Sequence, residues 1–306
     1  MRPPVWSLSR NSSGMSVRFV TDATRISARW ALRSTNLAMP HMAATGVSGL
    51  DLYAKTEDGN WHWLAVGQPK VYPTNSAVLA GGIKPGKREY MIYLPLYNGV
   101  SSVEIGLPKD TVLETAGAWG AGERKPILFY GTSILQGACA SRPGMVHSSI
   151  LGRRLQYPTI NLGFSGNGKM EPEMADLLSE LDPSVYVLDC MPNMSAAEVT
   201  ERAEAFVHKV RSMHPNTPII LVEDRTYGDA FLLKSRRDRN DTTRAAMKDV
   251  YAKLKKQGVK GLSYVEGEKM LANDSDATVD GSHPNDVGFV HQADVLEPVI
   301  RKALGR

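Results

Sequence analysis

A serine, a histidine and a carboxylate can together cleave an ester, and this chain places each in a turn that follows a short apolar run. Ile127-Leu128-Phe129-Tyr130 leads into Gly131-Thr132-Ser133-Ile134. Glycine permits a sharp turn there, which sets Ser133 near the start of a helix whose amides can stabilise an anion. Thr159-Ile160-Asn161-Leu162 leads into Gly163-Phe164-Ser165-Gly166-Asn167-Gly168, a loop able to aim a backbone N–H at a reacting oxygen. Val185-Tyr186-Val187-Leu188 leads into Asp189-Cys190-Met191-Pro192-Asn193, which offers a side-chain amide donor. After Leu262-Ser263-Tyr264-Val265 comes Asp280-Gly281-Ser282-His283-Pro284. A carboxylate three residues before a histidine can accept from its Nδ1, leaving Nε2 free to deprotonate a serine. The set supplies a nucleophile (Ser133), a base (His283), an orienting acid (Asp280) and oxyanion donors at Ser133, Gly166 and Asn193. Each fragment alone is weak. A lone Gly-x-Ser is usually just a turn, a lone Asp-x-x-His is usually a surface or capping pair, and Asn193 could merely cap a helix. Their shared position at the ends of apolar runs carries the argument.

Those runs need elements to hold them. Up to about residue 110 the chain alternates as strands do: Val17 and Phe19; Ile26, Ala28 and Trp30; Trp61-His62-Trp63-Leu64; residues 89–94; and residues 102–105. Asp58-Gly59-Asn60, Gly81-Gly82 and Lys84-Pro85-Gly86 separate them, which predicts a β-sandwich of the jelly-roll kind. Thr115 to Gly122 lacks either period and reads as a connection, giving domains at 1–118 and 124–306. From Pro126 the apolar runs alternate with helical stretches. Ser195-Ala196-Ala197-Glu198 is a capping box, and Asn240-Asp241-Thr242 is expected to start a further helix that stops at Gly258. Continuous apolar strands between amphipathic helices predict a parallel sheet covered on both faces, with chemistry at the carboxyl ends of its strands.

Composition narrows the classes. Of 306 residues, 42% are hydrophobic and 22% charged, which excludes wholesale disorder. The net charge is only +4, too small to argue for nucleic acid or an acidic membrane as the main partner. No apolar run approaches the roughly 18 residues of a membrane span, and the first 25 residues do not read as a signal peptide. Cys139 and Cys190 match no zinc or redox spacing, and two buried thiols are favoured over a disulfide. No His, Asp or Glu cluster has metal spacing, so neither a catalytic metal nor a cofactor is expected.

The order of the polar blocks resembles the SGNH, or GDSL-type, hydrolases over roughly Pro126 to Leu304. Gly131-Thr132-Ser133 stands for the Gly-Asp-Ser block, Gly166 for the glycine block, Asn193 for the asparagine block, and Asp280-x-x-His283 for the terminal block. Thr132 replaces the usual Asp, and Met191-Pro192-Asn193-Met194 replaces Gly-x-Asn-Asp. The resemblance implies a flavodoxin-like three-layer sheet and an acyl-enzyme mechanism without cofactor. An N-terminal β-domain ahead of such a half is similar to a bacterial subgroup associated with carbohydrate esters. In that subgroup the β-domain begins somewhat upstream, so Met1 to Pro4 reads as a shortened start. The compartment then stays open between periplasmic or secreted and cytoplasmic. The implied function is a serine esterase that hydrolyses small acyl esters, O-acetyl above all, with a small-molecule or oligosaccharide ester as substrate. The alternatives are a thioesterase-like or lipase-like acyl hydrolase or acyltransferase, and a carbohydrate-binding protein with an inactive hydrolase half.

Three residues are candidates for substrate contact. Arg142 and His147 follow the serine closely and either line an acyl or sugar pocket or are solvated or hold loops, the second alternative being slightly favoured. His41 lies in a loop-like stretch that could reach over the mouth. Arg236-Arg237-Asp238-Arg239 reads as a solvated charge run. Trp30 is expected in the sandwich core, and Trp61 and Trp63 either there or on a sugar-stacking platform.

Overall fold

A computed structural model of the chain describes residues 2–120, 122–271 and 274–306. Its N-terminal half is built from alternating strands. In β1 (Ser16–Thr21) and β2 (Arg25–Leu32), Phe19, Ile26, Ala28 and Trp30 turn inward while Arg25 and Arg29 face out. They join β3 (Leu50–Lys55), β4 (Trp61–Gly67), β5 (Thr74–Gly81), β6 (Arg88–Tyr93), β7 (Val100–Gly106) and β8 (Leu113–Thr115). These make two antiparallel sheets, ordered β4-β3-β6-β1-β8 and β5-β2-β7. The sheets share a core that includes Phe19, Trp30, Leu50, Leu52, Tyr90 and Ile92. Trp30 is fully buried as expected, and its Nε1 donates to the Ser48 carbonyl at 3.1 Å. Trp61 instead packs against Trp119, and Trp63 is half exposed beside Arg142.

Three strands go beyond the sequence expectation. β3 reads Leu-Asp-Leu-Tyr over four consecutive buried residues, so it shows no alternation. β5 is mostly small residues, and β8 takes Thr115 out of the expected connection. Ala121 of that connection and Met1 of the expected shortened start lie outside the described residues. A helix, α1 (Pro3–Leu8), opens on proline at its first turn. It crosses to the other half of the molecule, where Val5 is buried among the helices of the parallel sheet. A four-residue helix, α2 (Ala44–Val47), follows the turn that holds His41.

The second half has one parallel sheet, ordered β10-β9-β11-β12-β13. Its strands are β9 (Ile127–Gly131), β10 (Thr159–Gly163), β11 (Val185–Asp189), β12 (Ile219–Val222) and β13 (Leu262–Val265). Between and after them come α3 (Ser133–Gln136), α4 (His147–Leu155), α5 (Pro172–Ser179), α6 (Ala196–Met213), α7 (Lys234–Lys256) and α8 (Asp286–Ala303). Leu128, Tyr130, Tyr186, Leu188 and Leu221 pack under α5, α6 and α7. Phe129, Val187, Ile220 and Val222 pack under α4 and α8. The central strands are therefore apolar on both faces, as their unbroken runs require. The result is three layers, helix on sheet on helix.

The capping box forms: Ser195 accepts from the Glu198 amide while the Glu198 side chain accepts from the Ser195 amide. The helix expected to start at Asn240 starts at Lys234 instead. Asn240 sits buried inside α7, where its side chain accepts from the Tyr227 amide and donates to the Arg225 carbonyl. A cap-like residue was thus diverted to satisfy a neighbouring loop. Both cysteines are free and buried. Among the described residues, no helix is long and apolar enough to cross a membrane.

Candidate active site

The three strands β10, β9 and β11 are neighbours, with Gly163, Gly131 and Asp189 in register at their carboxyl ends. Ser133, Gly166 and Asn193 follow those ends. Thr132, in place of an acid, caps the serine turn by accepting from the Ile134 amide at 3.3 Å. Ser133 is 8% exposed, and its Oγ lies 2.9 Å from His283 Nε2. His283 Nδ1 lies 2.7 Å from Asp280 Oδ2. The other oxygen, Asp280 Oδ1, accepts from the backbone amides of His283 (2.8 Å) and Ser282 (3.0 Å). Partial burial raises the Asp280 pKa, but the His283 and Ser282 hydrogen bonds outweigh it and hold the carboxyl below its ordinary value. The acid is thus ionised at neutral pH and fixes which ring nitrogen carries the proton.

The loop after β10 supplies backbone donors in a confined space. Gly166 has a φ of +70°, and a Cβ at Gly168 would stand 2.0 Å from the Gly131 carbonyl oxygen. Both positions therefore require glycine. Asn193 ends a 3-10 turn, Met191–Asn193. With its amide oriented to satisfy its neighbours, Oδ1 accepts from the Gly166 amide at 3.3 Å and the Asn167 amide at 3.1 Å. Arg239 donates to the carbonyls on either side of Asn193, those of Pro192 (2.7 Å) and Met194 (3.1 Å). This corrects the reading of residues 236–239 as a solvated run: Arg239 braces the asparagine turn.

The N-terminal half reaches the same place. The His41 ring centroid is 5.7 Å from that of His283. Thr45 Oγ1 donates to the Ser141 carbonyl at 2.6 Å, Ser13 Oγ donates to the Gln136 carbonyl at 2.6 Å, and Tyr97 Oη donates to the Ser133 carbonyl at 3.3 Å. The serine turn is braced by the β-rich half along its length.

Arg142 and His147 take other positions. His147 is fully buried, stacked on Phe289 and edge-on to Phe129, so it cannot line a solvent-filled pocket. Burial pushes its pKa down to about 3 and keeps it neutral. Arg142 donates to both oxygens of Asp51 (3.2 and 2.9 Å) and to Tyr53 Oη (2.5 Å). It ties the segment after the serine turn to β3. Asp51 also accepts from the Gly144 amide (2.8 Å) and Trp63 Nε1 (2.9 Å). The signal was present in Gly49-Leu50-Asp51-Leu52-Tyr53: a carboxylate inside a buried strand must find partners. Asp189 is 1% exposed and forms a bidentate pair with Arg225, which also donates to Gln292. It is committed to that pair and not to His283.

The arrangement corresponds to known proteins over the whole chain. The model of the GDSL-like lipase/acylhydrolase family matches residues 124–301. A second model, GxDLY, the N-terminus of SGNH-hydrolase-type esterases, matches residues 1–113 and so includes the Asp51 strand. A Bacteroides ovatus protein assigned to the GDSL-like lipases is 37% identical, with TM-score 0.94, covering 100% of this chain and 89% of its own. A salicylyl-acyltransferase of a tetracycline biosynthetic pathway is 19% identical, with TM-score 0.76, covering 100% of this chain and 86% of its own. A family two carbohydrate esterase from Clostridium thermocellum is 16% identical, with TM-score 0.66, covering 96% of this chain and 94% of its own. These last two share the fold. No curated protein matches. With the family model spanning more than half its length and the close likeness to the Bacteroides protein running from end to end, the chain belongs to the GDSL-like lipase/acylhydrolase family.

Proposed function

We propose that the protein is a serine esterase that removes small acyl groups, O-acetyl above all, from carbohydrates. The single observation that carries the reading is the hydrogen-bonded series Ser133–His283–Asp280, at 2.9 and 2.7 Å. As Ser133 Oγ attacks the ester carbonyl, its proton passes to His283 Nε2, and Asp280 steadies the imidazolium. The oxyanion is received by the amides of Ser133 and Gly166 and by the Asn193 NH2. The Gly166 amide also donates to Asn193 Oδ1 at 3.3 Å, so it would share its hydrogen between that oxygen and the oxyanion. Collapse of the tetrahedral centre breaks the acyl C–O bond, and the departing alkoxide takes the proton from His283. Water, deprotonated by the same nitrogen, then releases the acid and restores Ser133. The nearly buried serine and the adjacent His41 ring favour a short acyl group. The fold shared with a carbohydrate esterase crystallised with cellohexaose supports a sugar as the alcohol, with His41 in the wall beside it.

Mass spectrometry of acetylated oligosaccharides before and after incubation tests the reading. Loss of acetyl groups with release of acetate is expected. Turnover of p-nitrophenyl acetate with every oligosaccharide left intact would remove the sugar from the proposal.

The two strand-end acids should separate in their effects. Asp280→Asn is expected to lower kcat at least about a hundredfold by favouring the wrong histidine tautomer, with little change in Tm. Asp189→Asn should leave kcat within a few-fold but lower stability by about 3 kcal/mol, because Arg225 would be left buried and half paired. Steady-state kinetics with thermal melts on both variants decides, and the reverse ranking would overturn the triad.

A further inference from the structure

Cys139 has no part in the mechanism above, yet it sits against it. Its Sγ, a ring nitrogen of His41 and a ring nitrogen of His283 all lie within 4.8 Å of one another. The thiol is 7% exposed and held at a φ of +71°, just after the serine turn. Both histidines are only partly buried, so the cluster opens toward solvent. Four features suit it to a metal. The donor set, two imidazoles and one thiolate, is the kind that binds Zn2+ with a fourth position left to water. Zinc bonds of about 2.0–2.3 Å would need the ligand atoms to close by roughly an ångström. His283 Nδ1 already holds Asp280, which leaves Nε2 as the metal-binding atom. That makes the carboxylate–histidine–metal arrangement that fixes a ligand's tautomer and raises its basicity.

We propose that His41, Cys139 and His283 form an inhibitory site for a soft divalent cation, Zn2+ being the best fit. As the ion binds, the Cys139 Sγ–H proton leaves to solvent and a sulfur–metal bond forms. The same step withdraws His283 Nε2 from Ser133, which leaves the serine without its base. The ligands come from both halves of the molecule, His41 from the β-rich half and the others from the hydrolase half. The site therefore exists only where the two are docked. Binding stands independently of the proposed esterase activity, and only the inhibition rests on it.

Two readouts keep these apart. Metal-free protein titrated with Co2+ should develop a near-ultraviolet thiolate-to-metal absorption that Cys139→Ala lacks. In turnover of p-nitrophenyl acetate, micromolar Zn2+ should silence the wild type, EDTA should restore it, and Mg2+, a hard oxygen-seeking ion, should do nothing. Cys139→Ala should keep its basal rate and need at least about tenfold more Zn2+ for half inhibition. Cys139→Ser serves as the second variant if the alanine protein fails to fold. An absent thiolate band, or equal zinc sensitivity in wild type and variant, would overturn the site. A thiolate band in a protein with no ester turnover would leave the site standing and overturn the esterase reading.

Discussion

Ser133→Ala should abolish ester hydrolysis while the protein folds and melts as before. The hydroxyl makes one side-chain hydrogen bond, to His283 Nε2, and its loss removes neither core volume nor a cap. Thr132, not Ser133, supplies the cap of the serine turn. Loss of a triad nucleophile costs a serine hydrolase orders of magnitude in kcat, so a fall of a thousandfold or more is expected. What survives should be the slow background from oxyanion donors acting on an ester attacked by water. Turnover of p-nitrophenyl acetate beside circular dichroism melts measures both sides. A folded variant retaining more than about 5% of wild-type kcat would assign the nucleophile elsewhere.

A large loss of stability together with a loss of rate is expected at Asp51. Its side chain is fully buried and gathers three donors: Arg142, the Gly144 amide and Trp63 Nε1, while Arg142 also donates to the Tyr53 hydroxyl. Burial pushes its carboxyl pKa up, and Arg142 is the main influence opposing that shift. Ion pairs of this type gain little over an apolar pair but cost heavily when one member goes. Asp51→Ala should therefore lower stability by about 3 kcal/mol, which for a protein of this size lowers Tm by about 5 °C. Because the same carboxylate anchors the segment after the serine turn, kcat should fall as well. The paired change Asp51→Leu with Arg142→Met should recover part of the lost Tm, since neither charge is then left alone. An unchanged melt in Asp51→Ala would show that the Asp51–Arg142 pair contributes nothing to holding the two halves together.

Much of the site was legible because its signals are local. Asp280 and His283 are three residues apart and bond within one loop, and Ser133 follows a strand whose apolar run cannot be mistaken. The capping box at Ser195 is equally self-contained. The misreadings share one cause, a side chain serving a distant partner. Asn240 looks like a cap but is spent on the Arg225–Tyr227 segment. Arg239 looks solvated but holds the asparagine turn. His147 reads slightly better as a solvated or loop-holding residue than as a pocket one, but instead packs between Phe129 and Phe289 in the core. β3 escaped because an element buried along one whole stretch loses its period, and Asp51 inside it points to a partner ninety-one residues away. None of those pairings can be read from spacing.

The docking of α1 has a consequence for how the chain is made. Val5 is buried in the hydrolase half, and Arg2 pairs with Glu171, which also accepts from the Tyr130 hydroxyl. The partners are 169 residues apart. At roughly 5–20 residues per second, the ribosome needs on the order of ten to thirty seconds after α1 emerges before Glu171 exists to receive it. Through that interval the apolar side of the helix has no surface to rest on. The β-rich half can close its own sheets in the meantime, but α1 must wait for the hydrolase half. The packing of α1 is thus a late event, set by residues translated long after it.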